Sequence, residues 1–216
     1  MTHAFSKTHG PVDSVADVQG VTPCFTPGTM IATDQGEVPA QHLKPGDRVI
    51  TRDNGVQRIQ WVGKNHLFLH DFQASPHLLP IVVRQGSLGK GIPERDMMVS
   101  PNHRILVASD RTTLSFSEPE VLVAAKHLMA GQAVQTVESS GTTYIHFMFE
   151  RHEVILSDGA WTESFQPDDH TLKGMGNSQR LEILELFPDL KTAEGRAAFE
   201  PARRTLSRDQ AADLRR

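Results

Sequence analysis

The chain has 216 residues, a single cysteine, 38% hydrophobic residues and a formal net charge of −4. This length allows one domain with a buried core, and the near-neutral charge gives no reason to expect a nucleic-acid or membrane partner. Because the sequence lacks an apolar run of about 18 residues, no transmembrane helix is expected. The lone thiol excludes an internal disulfide and a zinc site built from several thiolates, and we expect neither a cofactor nor a metal.

Residues 1–23 are predicted to be a flexible polar leader. Residues 1–20 lack the apolar segment of a secretory signal, so a cytoplasmic location is the default expectation. Export by a route that needs no signal peptide is the open alternative.

Residues 24–166 contain short apolar runs separated by turn signals, which is typical of an all-β domain. Asn54-Gly55 and Asp158-Gly159 predict hairpin turns in which both residues have positive φ. In chain order, the predicted strands cover residues 30–33, 48–51, 57–62, 79–84, 96–99, 104–108, 133–137, 144–149, 153–156 and 160–165. Residues 38–43 and 120–128 are interpreted as short helical turns.

Residues 167–216 are predicted to form a helical C-terminal extension or tail. The clearest helix covers residues 178–187 and ends at Pro188. Its apolar side, with Leu181, Leu184 and Phe187, requires burial. We therefore expect the extension to close the β core, and a docking site for a partner is the alternative.

Cys24 precedes a Pro-Gly turn at residues 27–28 and the strand predicted at 30–33, so its thiol lies on a rigid element. A thiol beside its own peptide bond can attack the carbonyl carbon of Pro23, which converts the amide into a thioester by an N-to-S acyl shift. Since a free cysteine is mostly protonated at neutral pH, another group must assist. The amide nitrogen must also gain a proton as it leaves.

Ser100 and His103 lie on either side of a Pro101-Asn102 turn, just before the strand predicted at 104–108. The Ser100 hydroxyl or the Asn102 amide is a candidate for holding the carbonyl oxygen, and His103 is a candidate proton donor. Taken alone, a histidine in a turn is more often structural than catalytic.

His146 and His152 alternate with apolar residues and would face one side of a single unbroken strand. The simpler interpretation of this pattern is an exposed polar face. A separate group, His66, His70 and His77, is a weaker metal alternative, because Pro76 makes the region loop-like.

Four stretches, in this order, resemble the sequence blocks of the Hint (Hedgehog/intein) domain family. Cys-Phe-x-x-Gly-Thr at residues 24–29 is similar to the first splicing block, and residues 43–49 are similar to the shared Leu-x-Pro-Gly-Asp-x-Val stretch. Residues 100–103 resemble the Thr-x-x-His block, and residues 144–159 resemble the late block with its histidine and Asp-Gly turn. The resemblance covers residues 24–166 and is strongest to bacterial Hint domains outside true inteins.

The resemblance implies a pseudo-symmetric, horseshoe-like all-β fold and a role for each matching residue. Cys24 matches the acyl-shift nucleophile, and His103 matches the histidine that contacts the scissile amide. Ser100 replaces the helper threonine, and His152 matches the late-block histidine. The late-block position that often holds Asp or Cys falls at residue 145 or at His146.

Inteins end in His-Asn followed by Cys, Ser or Thr, whereas the corresponding stretch here is Thr162-Glu163-Ser164-Phe165. Without the asparagine we expect no splicing, and the domain should stay attached to residues 167–216. The implied function is single-turnover self-cleavage at Pro23–Cys24, with the chain's own N-terminal segment as substrate. Water, an amine or a thiol would accept the acyl group. The alternative is a catalytically silent β module that acts as a binding or secretion-associated appendage.

Overall fold

The computed structural model describes residues 22–214, most of them in short antiparallel strands. The strands are β1 (Met30–Thr33), β2 (Gly36–Pro39), β3 (Arg48–Ile50), β4 (Val56–Arg58), β5 (Trp61–Phe68), β6 (Ile81–Val83), β7 (Met97–Val99), β8 (Arg104–Ala108), β9 (Glu120–Ala124), β10 (Val134–Thr136), β11 (Gly141–Met148), β12 (Val154–Ser157) and β13 (Ala160–Glu163). The all-β prediction is confirmed. Residues 1–21 of the predicted leader lie outside the described part of the chain.

The short helices lie between strands and after the last strand. They are α1 (Leu69–Ala74), α2 (Asp110–Phe116), α3 (Asp169–Lys173), α4 (Asn177–Leu186), α5 (Ala193–Ala198) and α6 (Arg208–Asp213). Four 3-10 turns cover Ala40–His42, Pro76–Leu78, Ala125–His127 and Pro188–Lys191. Within residues 22–214, none of these helices has the length and apolar character that crossing a membrane requires.

The strands form three antiparallel sheets, and the largest is a curled half-barrel. Its strand order is β4-β3-β1-β12-β13-β8-β9, with β2 paired to β1. A second sheet has the order β10-β6-β7, and β11 pairs with β5 along their whole length, from Gly141 opposite Phe68 to Met148 opposite Trp61. The β5–β11 ribbon carries part of the candidate site.

The two predicted hairpin turns differ in geometry. Asp158 and Gly159 both have positive φ, 48° and 77°, and connect the paired residues Ser157 and Ala160, as predicted. At the other hairpin only Gly55 has positive φ. Asn54 lies in a longer loop, and its side-chain amide donates to the Glu153 carboxylate. The two-residue turn predicted there is wrong.

Two sequence interpretations fail because tertiary pairing decides the structure. Residues 120–124 form β9 instead of a helical turn, since Val121, Leu122 and Val123 are fully buried and pair with β8. The single strand predicted at 57–62 is divided into β4 and β5, because Ile59 donates to Asp47 whereas Gln60 donates to Met148.

The C-terminal extension packs against the β core. Ile183 of α4 is fully buried, and the Leu172 and Leu190 side chains join it in a cluster with Trp61 and others from the core. Leu181, which was predicted to need burial, is 63% exposed. The buried side of α4 is thus rotated from the predicted one.

The last residues also close the core. Leu206 is buried against Val121 and Val123 of β9, and Leu122 hydrogen-bonds the backbone on both sides of Thr205. The segment after α5 is therefore an integral edge of the large sheet.

Candidate functional site

The segment that starts at Cys24 is held between two strands that are distant in sequence. Phe25 exchanges two backbone hydrogen bonds of 2.9 Å with Ile145 of β11, and it also bridges Val99 of β7. The Ser100 N–H donates to the Cys24 carbonyl at 3.0 Å. Three remote stretches of sequence therefore meet at this point.

The Pro23–Cys24 peptide bond is buried and contacted on its nitrogen side by Ser100. The Cys24 N–H donates to the Ser100 hydroxyl at 2.9 Å, and that hydroxyl donates to the Thr22 carbonyl at 2.9 Å. Ser100 thus accepts one hydrogen bond and donates another, which fixes the orientation of its O–H.

The His146 imidazole lies between the carbonyl oxygen of this peptide bond and the thiol. Its Nδ1 is 2.9 Å from the Pro23 oxygen, and its Nε2 is 3.4 Å from the Cys24 Sγ. Because a carbonyl oxygen only accepts, Nδ1 carries the proton and the neutral ring turns the Nε2 lone pair toward the thiol. The thiol is also 2.9 Å from the Thr22 carbonyl oxygen.

Burial keeps the site uncharged. It raises the pKa of the Cys24 thiol well above its ordinary value, although the Ser100 hydrogen bond acts in the opposite direction. It also lowers the pKa of both His146 and His103 to about 4. Near pH 7 the site therefore contains a protonated thiol and two neutral imidazoles.

His103 lies beside the site, but its ring does not bond the Pro23–Cys24 amide. The ring packs edge-on against Phe25 with centroids 4.4 Å apart, and its backbone N–H donates to the Ser100 carbonyl. Both ring nitrogens are buried without a hydrogen-bond partner among the described residues. Asn102 occupies the turn between Ser100 and His103. The Cys24 N–H, which the family resemblance led us to expect against His103, bonds the Ser100 hydroxyl instead.

His152 occupies a different environment from His146. The strand that carries His146 ends at Met148, so the predicted common face does not exist. The Nδ1 atom of His152 accepts from the Ala202 N–H at 3.0 Å, and its Nε2 is 3.3 Å from the Glu163 carboxylate. The Ala202 contact connects the core to the C-terminal extension.

Glu163 was not identified as a site residue from the sequence. Its fully buried carboxylate accepts from the Arg104 backbone at 2.8 Å and from the Arg104 guanidinium at 2.9 Å. Although burial acts to raise its pKa, Arg104 and His152 hold that pKa below the ordinary value. A Glu in a short polar stretch carries no sequence signal for this role.

An apolar cluster surrounds the other side of the Cys24 thiol. It contains Tyr144, whose hydroxyl donates to the Leu78 carbonyl at 2.6 Å, together with Leu67 and Phe72. These side chains exclude water from the sulfur.

The metal alternative receives no support from the geometry. His66 lies on β5 and contacts Thr143, whereas His70 on α1 lies 3.4 Å from Asp71. His77 belongs to the 3-10 turn that follows. Across residues 22–214, no three His, Cys, Asp or Glu side chains are grouped closely enough to hold a metal ion.

Two solved structures are similar to parts of this chain. The bacterial intein-like domain of Clostridium thermocellum is similar, with 13% identity, a TM-score of 0.44, and coverage of 67% of this chain and 99% of that domain. The MchDnaB-1 intein is similar at 9% identity and a TM-score of 0.42, covering 65% of this chain and 98% of the intein. No curated protein matches the chain in sequence. The profile of the Hint domain family matches residues 23–169, which is more than half of the chain. The chain therefore belongs to the Hint domain family.

Proposed function

We propose that this domain cuts its own chain at Pro23–Cys24 through an N-to-S acyl shift. The observation that carries the proposal is the convergence of two side chains on this one peptide bond. Ser100 binds its nitrogen, and His146 bridges its carbonyl oxygen and the neighbouring thiol. The Hint family supports autoprocessing in general terms.

In the first step, the Cys24 sulfur attacks the Pro23 carbonyl carbon while the thiol proton passes to Nε2 of His146. The negative charge that develops on the Pro23 oxygen is stabilised by the Nδ1–H of the same ring. The raised pKa of the thiol makes this base necessary, and the low pKa of His146 keeps its lone pair free near neutral pH.

In the second step, the bond between the Pro23 carbon and the Cys24 nitrogen breaks. One proton must reach that nitrogen, which balances the proton removed from the thiol. That proton is the one that His146 took from the thiol, and Ser100, which accepts the Cys24 N–H, holds the nitrogen in position to receive it. His103 contacts Ser100 only through its backbone N–H, and its ring nitrogens make no hydrogen bond among the described residues, so the ring is assigned no proton in this step.

The thioester is then resolved by water, an amine or a thiol, and the substrate is the chain's own N-terminal segment. Each molecule reacts once. Because the stretch 162–165 contains no asparagine, we expect no cleavage after it. The domain keeps its C-terminal extension.

A fusion protein tests the proposal. A larger protein is joined before Met1 of the full chain, and the purified fusion is incubated with a thiol at pH 7. We expect mass spectrometry to show a fragment that begins at Cys24 and a thiol adduct that ends at Pro23. The Cys24→Ala variant should stay intact. Equal behaviour of the two proteins would reject the proposal and favour the silent binding module.

A further inference from the structure

The ring of His146 is flanked by two aromatic side chains outside the catalytic contacts. Trp61 of β5 is nearly parallel to it, with an interplanar angle of 21° and centroids 6.3 Å apart. Phe165 approaches edge-on at 5.5 Å. Both aromatic residues belong to the apolar cluster that includes Ile183 of the C-terminal extension. The shielding of His146 and the docking of the extension therefore share one cluster.

The absence of a side chain at Gly63 leaves room for the Trp61 ring beside His146. Gly63 pairs directly with His146 across the β5–β11 ribbon, and successive side chains on one face lie two residues apart. The benzene ring of Trp61 lies over the Gly63 backbone, where any Cβ would overlap it. Glycine is required here by this close approach and not by its φ angle.

The extension holds the other end of Trp61. The indole N–H donates to the Glu182 carboxylate of α4 at 3.0 Å, and Ile183 beside it is fully buried in the same cluster. A buried indole normally requires such a partner. Glu182 thus connects a helix outside the β core to a ring that covers His146.

We propose that the C-terminal extension is a functional part of the processing site. Glu182 and Gly63 are positioning residues that hold Trp61 over His146, and with Phe165 they fix the imidazole and exclude water from it. This inference rests on the proposed function of His146. The ionisable groups beside the ring are the Cys24 thiol and the His103 imidazole, both neutral near pH 7, whereas Glu182 faces Trp61.

The first experiment measures the protonation of the His146 ring directly and does not depend on cleavage. The full chain carrying Cys24→Ala is labelled with 15N-histidine, and the His146 signal is assigned by its loss in a His146→Gln variant. In this background we expect the ring to titrate near pH 4. Adding Glu182→Ala admits water and should shift the midpoint toward the ordinary value of 6.5.

Two further variants separate positioning from general loss of stability. Glu182→Gln keeps an acceptor for the indole and should restore the low midpoint. Glu185→Ala changes an exposed residue of the same type on the same helix and should leave the midpoint unaltered. An unchanged midpoint in Glu182→Ala, or an equal shift in Glu185→Ala, overturns the inference.

The cleavage rate of the fusion protein gives the second readout. We expect Glu182→Ala to slow cleavage about tenfold and Gly63→Ala roughly 10²-fold, since small displacements of a catalytic group cost this much. Glu182→Gln should stay close to the parent. If the parent fusion does not cleave, the proposed function fails while the titration still decides the role of the extension.

Discussion

The Ser100 hydroxyl and the His146 ring each contact the segment 22–24 twice, and together they bind the nitrogen and the carbonyl oxygen of the Pro23–Cys24 amide. In the proposed reaction, Ser100 accepts a hydrogen bond from the nitrogen that becomes the leaving amine, and His146 takes the thiol proton. Neither residue carries a formal charge near pH 7, so the site depends on hydrogen-bond direction and not on ion pairing.

Replacing the hydroxyl of residue 100 should test the first of these contacts. Ser100→Ala leaves the Cys24 N–H and the Thr22 carbonyl without their partner, so we expect unfolding free energy to fall by about 1–3 kcal/mol. Cleavage of the fusion should slow as well. Ser100→Thr retains the hydroxyl and should keep most of the activity. If Ala and Thr variants cleave at one rate, the hydroxyl has no role.

The two buried imidazoles should make the fold sensitive to acid. Their pKa values are about 4 in the folded chain and ordinarily 6.5, so the unfolded chain binds protons that the folded chain does not. The contribution that the neutral rings make to the unfolding free energy is fully present above pH 6.5. It is lost as the pH falls toward 4, by at most about 3 kcal/mol for each ring.

Denaturant unfolding between pH 7 and pH 4 measures this loss. The His103→Leu variant lacks one titrating ring and should lose less stability over that range than the parent. His170→Gln removes an exposed histidine and should follow the parent curve. A parent-like slope in His103→Leu would show that His103 is not buried in its neutral form.

At the scale of elements, the β12–β13 hairpin places the strand that bears Glu163. Its turn needs positive φ at both residues, and a side chain at Gly159 would also strike Glu94. Gly55 of the β3–β4 hairpin has positive φ but open space around it.

We therefore expect Gly159→Ala to lower the unfolding free energy more than Gly55→Ala does. Gly55→Ala introduces backbone strain alone, about 1 kcal/mol, whereas Gly159→Ala adds a steric clash with Glu94 to that strain. Thermal unfolding of the two variants measures the difference. Equal loss in both would mean that Glu94 moves aside without cost.

At the scale of the whole molecule, the extension and the β core share apolar clusters and should unfold together. Ile183→Ala removes a fully buried side chain between them and should cost about 2–5 kcal/mol in one cooperative transition. Leu181→Ala, on the exposed side of the same helix, should change stability by less than about 0.5 kcal/mol. Separate transitions for core and extension would contradict this.

Local patterns in the sequence were sufficient for several features. The Asp158-Gly159 turn follows from the backbone freedom of those residues, the helix near 177–186 follows from its composition and its Pro188 stop, and the all-β class follows from short apolar runs. The order of the four blocks indicated the family. Each of these features depends on residues that are close in sequence.

Only the tertiary structure decided which groups touch the Pro23–Cys24 peptide bond. The contacts of Cys24 with Ser100 and His146 span 76 and 122 residues, and no local pattern fixes distances over such separations. The same is true of β9, whose burial against β8 overrides its apparent helical turn. The sequence by itself determined the Asp158-Gly159 turn, the all-β class and the family, whereas the contacts of Cys24 depended on long-range packing, because side chains meet only after the sheets have curled together.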